Sequence, residues 1–416
     1  MKLHLTGRRQ FLGLAGMASV LGNLIPMKLL ARAAGKNGST HKFDSSPEIY
    51  TRLGVRPVIN TIGTVTVLGG VIMPPEVVAA MEEAGRHFVP MPELLEKSGE
   101  HIARLLGVEA AVVTTGAAGA ITLATAACVT GTDPQKIRQL PDTRGMRNEV
   151  IMQKSHRSGY EAQILLVGTK VIEIETRAEL EAAITDRTAM LFFMNKAEPD
   201  GQIHREEWIA IGKKHKIPTF NDAAADLPPK AHLSEYCRMG FDLVAFSGGK
   251  GLLGPQCSGL LLGRKELVDA ARINSSPFGG IGRGMKVGKE EIIGLVAALE
   301  RYLKVDHDAE FRELDARVSE ISKALSGIRG VKAERMVPEI ANHLPHLGVD
   351  WDSPVKLSAQ EVAASLRSGD PRIEVSQRGP KGLTVSVWML RHGEHKIVAQ
   401  RLSEVARTDE HVILLR

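Results

Sequence analysis

From Tyr50 onward, short apolar runs alternate with longer segments in which apolar residues recur at helical spacing. The runs are EAAVVTT (109–115), NEVIMQKS (148–155), TKVIEIE (169–175), AMLFFMN (189–195), IPTFNDA (217–223), FDLVAFSG (241–248) and SGLLLG (258–263). Most are apolar throughout rather than alternating, which is expected of strands covered on both faces. Between them lie GAAGAITLATAACVTG (116–131), whose small residues predict a tightly packed helix, and the helical pattern REEWIAIGKKHK (205–216). The sequence therefore predicts an α/β fold with a mostly parallel sheet, its functional groups at the carboxyl ends of the strands. This large domain is assigned to residues 50–300. A helical pattern from Lys286 to Ile328 predicts one long helix leading out of it, and the alternation that follows predicts a small C-terminal α+β domain over 301–416. No internal repeat is present, and a site is expected where the two domains meet.

The amino terminus breaks this pattern. Paired Arg8 and Arg9, then Phe11 and Leu12, a Gly- and Ala-rich run broken by Asn23 and Pro26, and a small-x-small Ala31-Arg32-Ala33 predict a twin-arginine export signal over 1–33. The expected partner is the twin-arginine export machinery and the expected location periplasmic. Residues 34–49 are small and polar, as in a flexible linker. The chain of 416 residues carries 53 basic and 48 acidic side chains, interspersed rather than in blocks, so no nucleic-acid partner is expected. Cys128, Cys237 and Cys257 lack CxxC spacing and are expected as buried thiols. The HxxH pairs His343/His346 and His392/His395 have no nearby carboxylate to complete a metal set, so no metal is expected.

One lysine stands out. Lys250 lies in SGGKGLLG, a glycine-rich turn between two apolar strands that lacks the spacing and hydroxyl of a Walker-type phosphate loop. It reads either as a solvated loop lysine or as a Schiff-base lysine whose flanking glycines admit an aldehyde cofactor. Upstream residues favour the second reading. Asp222 ends a predicted strand, where an acid could hold the protonated ring nitrogen of pyridoxal 5'-phosphate; capping the next segment is its alternative role. Thr115, Gly116, Ala117 and Ala118 open the small-residue helix, whose first N–H groups suit a phosphate, although close packing alone would also select them. His156 follows another strand and could stack on the cofactor ring or be an ordinary packed histidine. Ser247 is a phosphate ligand or a turn cap, and Arg283 and Lys286 are candidates for an anionic substrate group or a solvated helix start.

Taken with YTRLGVRPVINTIGTVTVLGG, PTFNDAAADLPP, DLVAFSGGKGLLGPQCSGLLLGRKELV and IGRGMKVGKEEIIGLVAALE, these residues resemble the selenocysteine synthase (SelA)-like group of fold-type-I pyridoxal phosphate enzymes. That group shares an aminotransferase class V-like fold, and the chain is most similar to its D-glucosaminate-6-phosphate ammonia-lyase branch. The resemblance implies Lys250 as the covalent cofactor lysine, Asp222 as the ring-nitrogen partner, the 115–119 turn as phosphate cradle, and a homodimer or larger oligomer. It implies a lyase acting on an amino acid or amino-sugar acid; a racemase or an aminotransferase would use the same lysine and aspartate. An exported scaffold with a degenerate site is the reading from outside enzymology. The turn departs from the branch in carrying TTGAAG rather than serines.

Overall fold

The computed structural model describes residues 48–413; the expected export signal and residues 34–47 of the expected linker lie outside the described residues. The larger sheet contains β2 (Ala110–Thr114), β3 (Glu149–Gln153), β4 (Lys170–Ile174), β5 (Thr188–Met194), β6 (Thr219–Asp222), β7 (Leu243–Ser247) and β8 (Gly259–Gly263). Their order is β2-β8-β7-β6-β5-β3-β4. All pairings are parallel except those of β8, which runs antiparallel to both β2 and β7. Each strand falls within an apolar run read from the sequence, except that β5 begins one residue early, at Thr188. In β5, six successive residues from Thr188 to Phe193 are buried, which explains why the run does not alternate.

The small-residue segment forms the helix Gly116–Thr130, packed across β2, β5, β6, β7 and β8. Small side chains let it lie close to the sheet: a Cβ on Gly259 of β8 would sit 2.5 Å from the Gly116 carbonyl carbon. A comparable approach occurs on the helix Met91–Leu106, where a Cβ on Gly99 would sit 2.2 Å from the Ala111 carbonyl oxygen.

The predicted long helix is two. Helix Lys289–Lys304 ends, and helix His307–Leu325 begins at Asp306, whose Oδ1 accepts the Ala309 N–H at 2.9 Å. This N-cap starts a new helix where periodicity alone runs on. Beyond it lies a second sheet of order β1-β11-β12-β10-β9, built from β1 (Ile59–Thr61), β9 (Val331–Met336), β10 (His346–Trp351), β11 (Ile373–Gln377) and β12 (Gly382–Ser386). β1, placed in the large domain by sequence order, instead pairs in parallel with β11, and Ile59 joins the second apolar core. After β1 the chain returns over the large domain: Gln256 Nε2 donates to the Thr66 carbonyl at 3.0 Å, and Gly70 abuts the Gly249 carbonyl.

Gly99→Ala would push a methyl into the Ala111 carbonyl, and overpacking of this kind costs about 1–3 kcal/mol. The expected result is a lower urea-unfolding midpoint with an unchanged slope.

Candidate active site

Asp222, Ser247 and Thr115 all lie at one end of the larger sheet. Asp222 pairs with Ala245 of β7, Ser247 pairs with Gly259 of β8, and Gly259 pairs with Thr114 of β2. Strand pairing thus brings the end of β6, the loop after β7 and the start of helix Gly116–Thr130 into one row, as the sequence predicted. Lys250 sits in that loop.

Each member has a distinct environment. Asp222 is 8 % exposed; its Oδ1 accepts the Ala224 N–H at 3.1 Å, and its Oδ2 has no hydrogen-bond partner among the described residues. Burial raises its pKa, opposed by the Ala224 N–H and then by the Lys250 charge. Lys250 is half-buried. Desolvation lowers its pKa foremost, Asp222 and Asp226 pull it back up, and nearby Lys196 lowers it further. Opposite charges therefore sustain each other against a shared desolvation cost. At the helix start, the Thr115 side chain makes no cap bond, and no group among the described residues accepts from the N–H groups of Gly116, Ala117 or Ala118. The Ser247 hydroxyl is also without a partner among the described residues. A free carboxylate oxygen, a poised amine and an uncapped first turn fit the ring nitrogen, aldehyde and phosphate of pyridoxal phosphate.

The glycines about Lys250 serve a different purpose from the one the sequence suggested. A Cβ on Gly248 would strike Ser258 Oγ, one on Gly249 would sit 2.6 Å from Gln256 Cα, and one on Gly251 would strike the Leu227 carbonyl. They admit the protein's own chain. Cys257, expected buried, is exposed in the same loop.

His156 does not present a ring face to solvent. It is fully buried, edge-on to Phe193 with ring centroids 4.5 Å apart, and its Nδ1 accepts the Met194 N–H at 3.1 Å. Its Nε2 lies 3.2 Å from Gln153 Nε2, and that amide is clamped on both sides by Ile203. The imidazole thus links the ends of β3 and β5, where the chain order reverses. Arg283 and Lys286 are exposed and make no ion pair among the described residues; Gly282 before them packs on Leu123, two turns into the small-residue helix. Three of the HxxH histidines make other contacts: His343 with the Pro338 carbonyl at 2.7 Å, His346 with the Asn342 carbonyl at 3.3 Å and His395 with Glu320 at 3.1 Å.

Sequence reading missed a cluster beneath Asp222. Asp226, Asn195 and Tyr236 are each at most 2 % exposed, and Asn195 Nδ2 donates to Asp226 Oδ2 at 2.6 Å. The available signal was a second aspartate in DAAAD and an asparagine ending an apolar strand.

Burial depresses the His156 pKa from 6.5 to about 4, favouring the neutral ring. The stability this group lends is therefore complete above pH 6.5 and is lost as pH falls towards 4. Across that window the thermal midpoint of the wild type should fall more than that of His156→Leu.

The sequence profile of the family described as SelA, L-seryl-tRNA selenium transferase, matches residues 58–360. The chain is 32 % identical over 375 residues to D-glucosaminate-6-phosphate ammonia lyase of Salmonella typhimurium, covering 87 % of this chain and 98 % of that protein. It is 34 % identical over 340 residues to 5'-C-glycyluridine monooxygenase-decarboxylase of a Streptomyces species, covering 78 % and 83 %. A solved structure of D-glucosaminate-6-phosphate ammonia-lyase superposes with a TM-score of 0.76 at 31 % identity, over 88 % of this chain and all of that one. With a profile match across most of its length and a relative of this identity, the chain belongs to the SelA family of fold-type-I pyridoxal phosphate-dependent enzymes.

Proposed function

We propose that Lys250 carries the cofactor and moves the substrate's Cα proton, and that Asp222 holds the ring nitrogen through its free Oδ2. The uncapped N–H groups of residues 116–118 would hold the phosphate, assisted by the hydroxyls of Thr115 and Ser247. When bound, the cofactor supplies an electron sink for the carbanion left at Cα. Lys250 Nζ takes the Cα proton, and the burial that lowers its pKa favours the neutral, basic form of the amine. A leaving group at Cβ then departs with its bonding electrons. The observation that carries this reading is the juxtaposition of Asp222 and Lys250 on neighbouring strand ends, each perturbed by burial and by the other's charge.

The substrate class we propose is an amino acid or amino-sugar acid, a reading supported by the ammonia lyase relative. Lys196 fits its acid group: it follows β5, is exposed, has no ion-pair partner among the described residues, and its charge reaches Lys250. We further propose twin-arginine export, on the strength of Arg8, Arg9 and the run behind them, and assembly as a homodimer. Tyr50, Val55, Val67 and Ile72 are all more than half exposed and line one hollow of about 530 Å³, an apolar surface that suits a second copy.

Three experiments follow. Protein isolated with pyridoxal phosphate should show a visible absorbance band that Lys250→Ala abolishes, while the fold persists by circular dichroism. Given a panel of D- and L-amino acids and amino-sugar acids, it should release ammonia and a keto acid; inversion without ammonia would make it a racemase. In light scattering the wild type should have twice the mass of the chain, and Val67→Asp with Ile72→Asp should shift it towards one.

A further inference from the structure

Asp222 and Asp226 stand on one tight turn whose backbone is held from several sides. Ala223 N–H donates to Ala245, Asp226 N–H to Ala223, and Asn342 N–H, from the small domain, to Ala225. His232 Nδ1 lies 2.8 Å from the Asp226 carbonyl. The turn cannot swing Asp226 outward without giving up these bonds. The Asp226 carboxylate is 2 % exposed, and its side-chain partners are neutral: Asn195 Nδ2 at 2.6 Å and the Tyr236 hydroxyl at 3.4 Å. Asn195 is oriented in turn, since its Oδ1 accepts from Arg205 at 3.4 Å and from Asn221 at 3.5 Å. Arg205 leans towards Glu198, 3.6 Å away, rather than onto Asp226. A buried carboxylate supported by neutral donors beside another carboxylate has no structural need to be an acid; an asparagine would hydrogen-bond as well at less desolvation cost.

We infer that Asp226 is a positioning residue whose charge, held on the turn it shares with Asp222, adjusts the proton affinity of Lys250 and of Asp222. This deepens the proposed assignment of Lys250 and Asp222 and rests on it. Burial raises the Asp226 pKa to about 7, with the Asp222 charge adding to the rise and Asn195, Tyr236 and Arg205 opposing it. The other charged or titratable groups around this cluster are Lys250, Lys196, Glu235 and His232. The signs are definite. Charged Asp226 favours the cationic form at Lys250 and disfavours ionised Asp222, so below neutrality, as Asp226 gains its proton, Asp222 is freed to stay ionised and Lys250 loses part of its support.

The test is a pH titration of the visible band of the cofactor-loaded enzyme, with cofactor content and thermal midpoint measured alongside. Asp226→Asn should move the band's midpoint to lower pH by roughly one unit, the size expected for loss of one nearby buried charge. Asp226→Glu should restore it. Tyr236→Phe, which removes one donor but keeps the carboxylate, should move it the same way by less; it serves where Asp226→Asn does not fold. An unmoved midpoint in loaded, folded Asp226→Asn or Tyr236→Phe overturns the inference, and a lower thermal midpoint alone with the band unmoved shows a structural residue and overturns it equally. A wild type that shows no Lys250-dependent band refutes instead the assignment of Lys250.

Discussion

The carboxyl end of the larger sheet is organised around one electrostatic constraint: an acid and an amine are withdrawn from water together at the ends of neighbouring strands. Burial pushes each towards its neutral form, and the charge of each pulls the other back. Together they hold each other in a state suited to binding a cationic ring and an aldehyde. The parallel pairing of β6 with β7 fixes their spacing, and the near-complete burial of both strands keeps water from the sheet beneath them.

A second constraint, backbone crowding, keeps the pair in place. The loop bearing Lys250 is closed by bonds from Gly248 N–H to Ser258 and from Gly254 N–H to Gly248, with glycines where neighbouring chain leaves no room for a Cβ. The turn bearing Asp222 is anchored by the small domain, where Ala341 and Asn342 adopt left-handed backbone conformations that are costly for residues with a Cβ. Rigid surroundings of this kind keep a site in its working geometry without help from the ligand.

The sequence disclosed those features that depend on local burial. Apolar runs marked the strands of the larger sheet to within a residue or two at each end, and their order placed Lys250, Asp222 and the 115–119 turn at strand ends. Features that depend on distant partners were not legible. Nothing local to Ile59–Thr61 says that its neighbour is β11, and nothing in QKSHRSGYE says that the His156 ring turns inward to meet the Met194 N–H. Asp306 was legible in principle, as a capping residue in a long helical pattern, but periodicity outweighed it. The glycines of SGGKGLLG show the same limit in reverse: the residues were correctly picked out, but the chain they make room for comes from elsewhere in the fold.

The parallel pairing of β1 with β11 also bears on how the molecule is made. The Thr61 hydroxyl bonds the Glu374 carbonyl 313 residues further on, so the small sheet cannot acquire its β1 edge until most of the chain has left the ribosome. The segment that follows β1 rests on Gly249 and Gln256, beside the lysine. Contacts of such long sequence separation form late. The strands of the larger sheet are all made by Gly263, whereas β1, which leads into this wall of the lysine loop, has no partner strand until β11 is made.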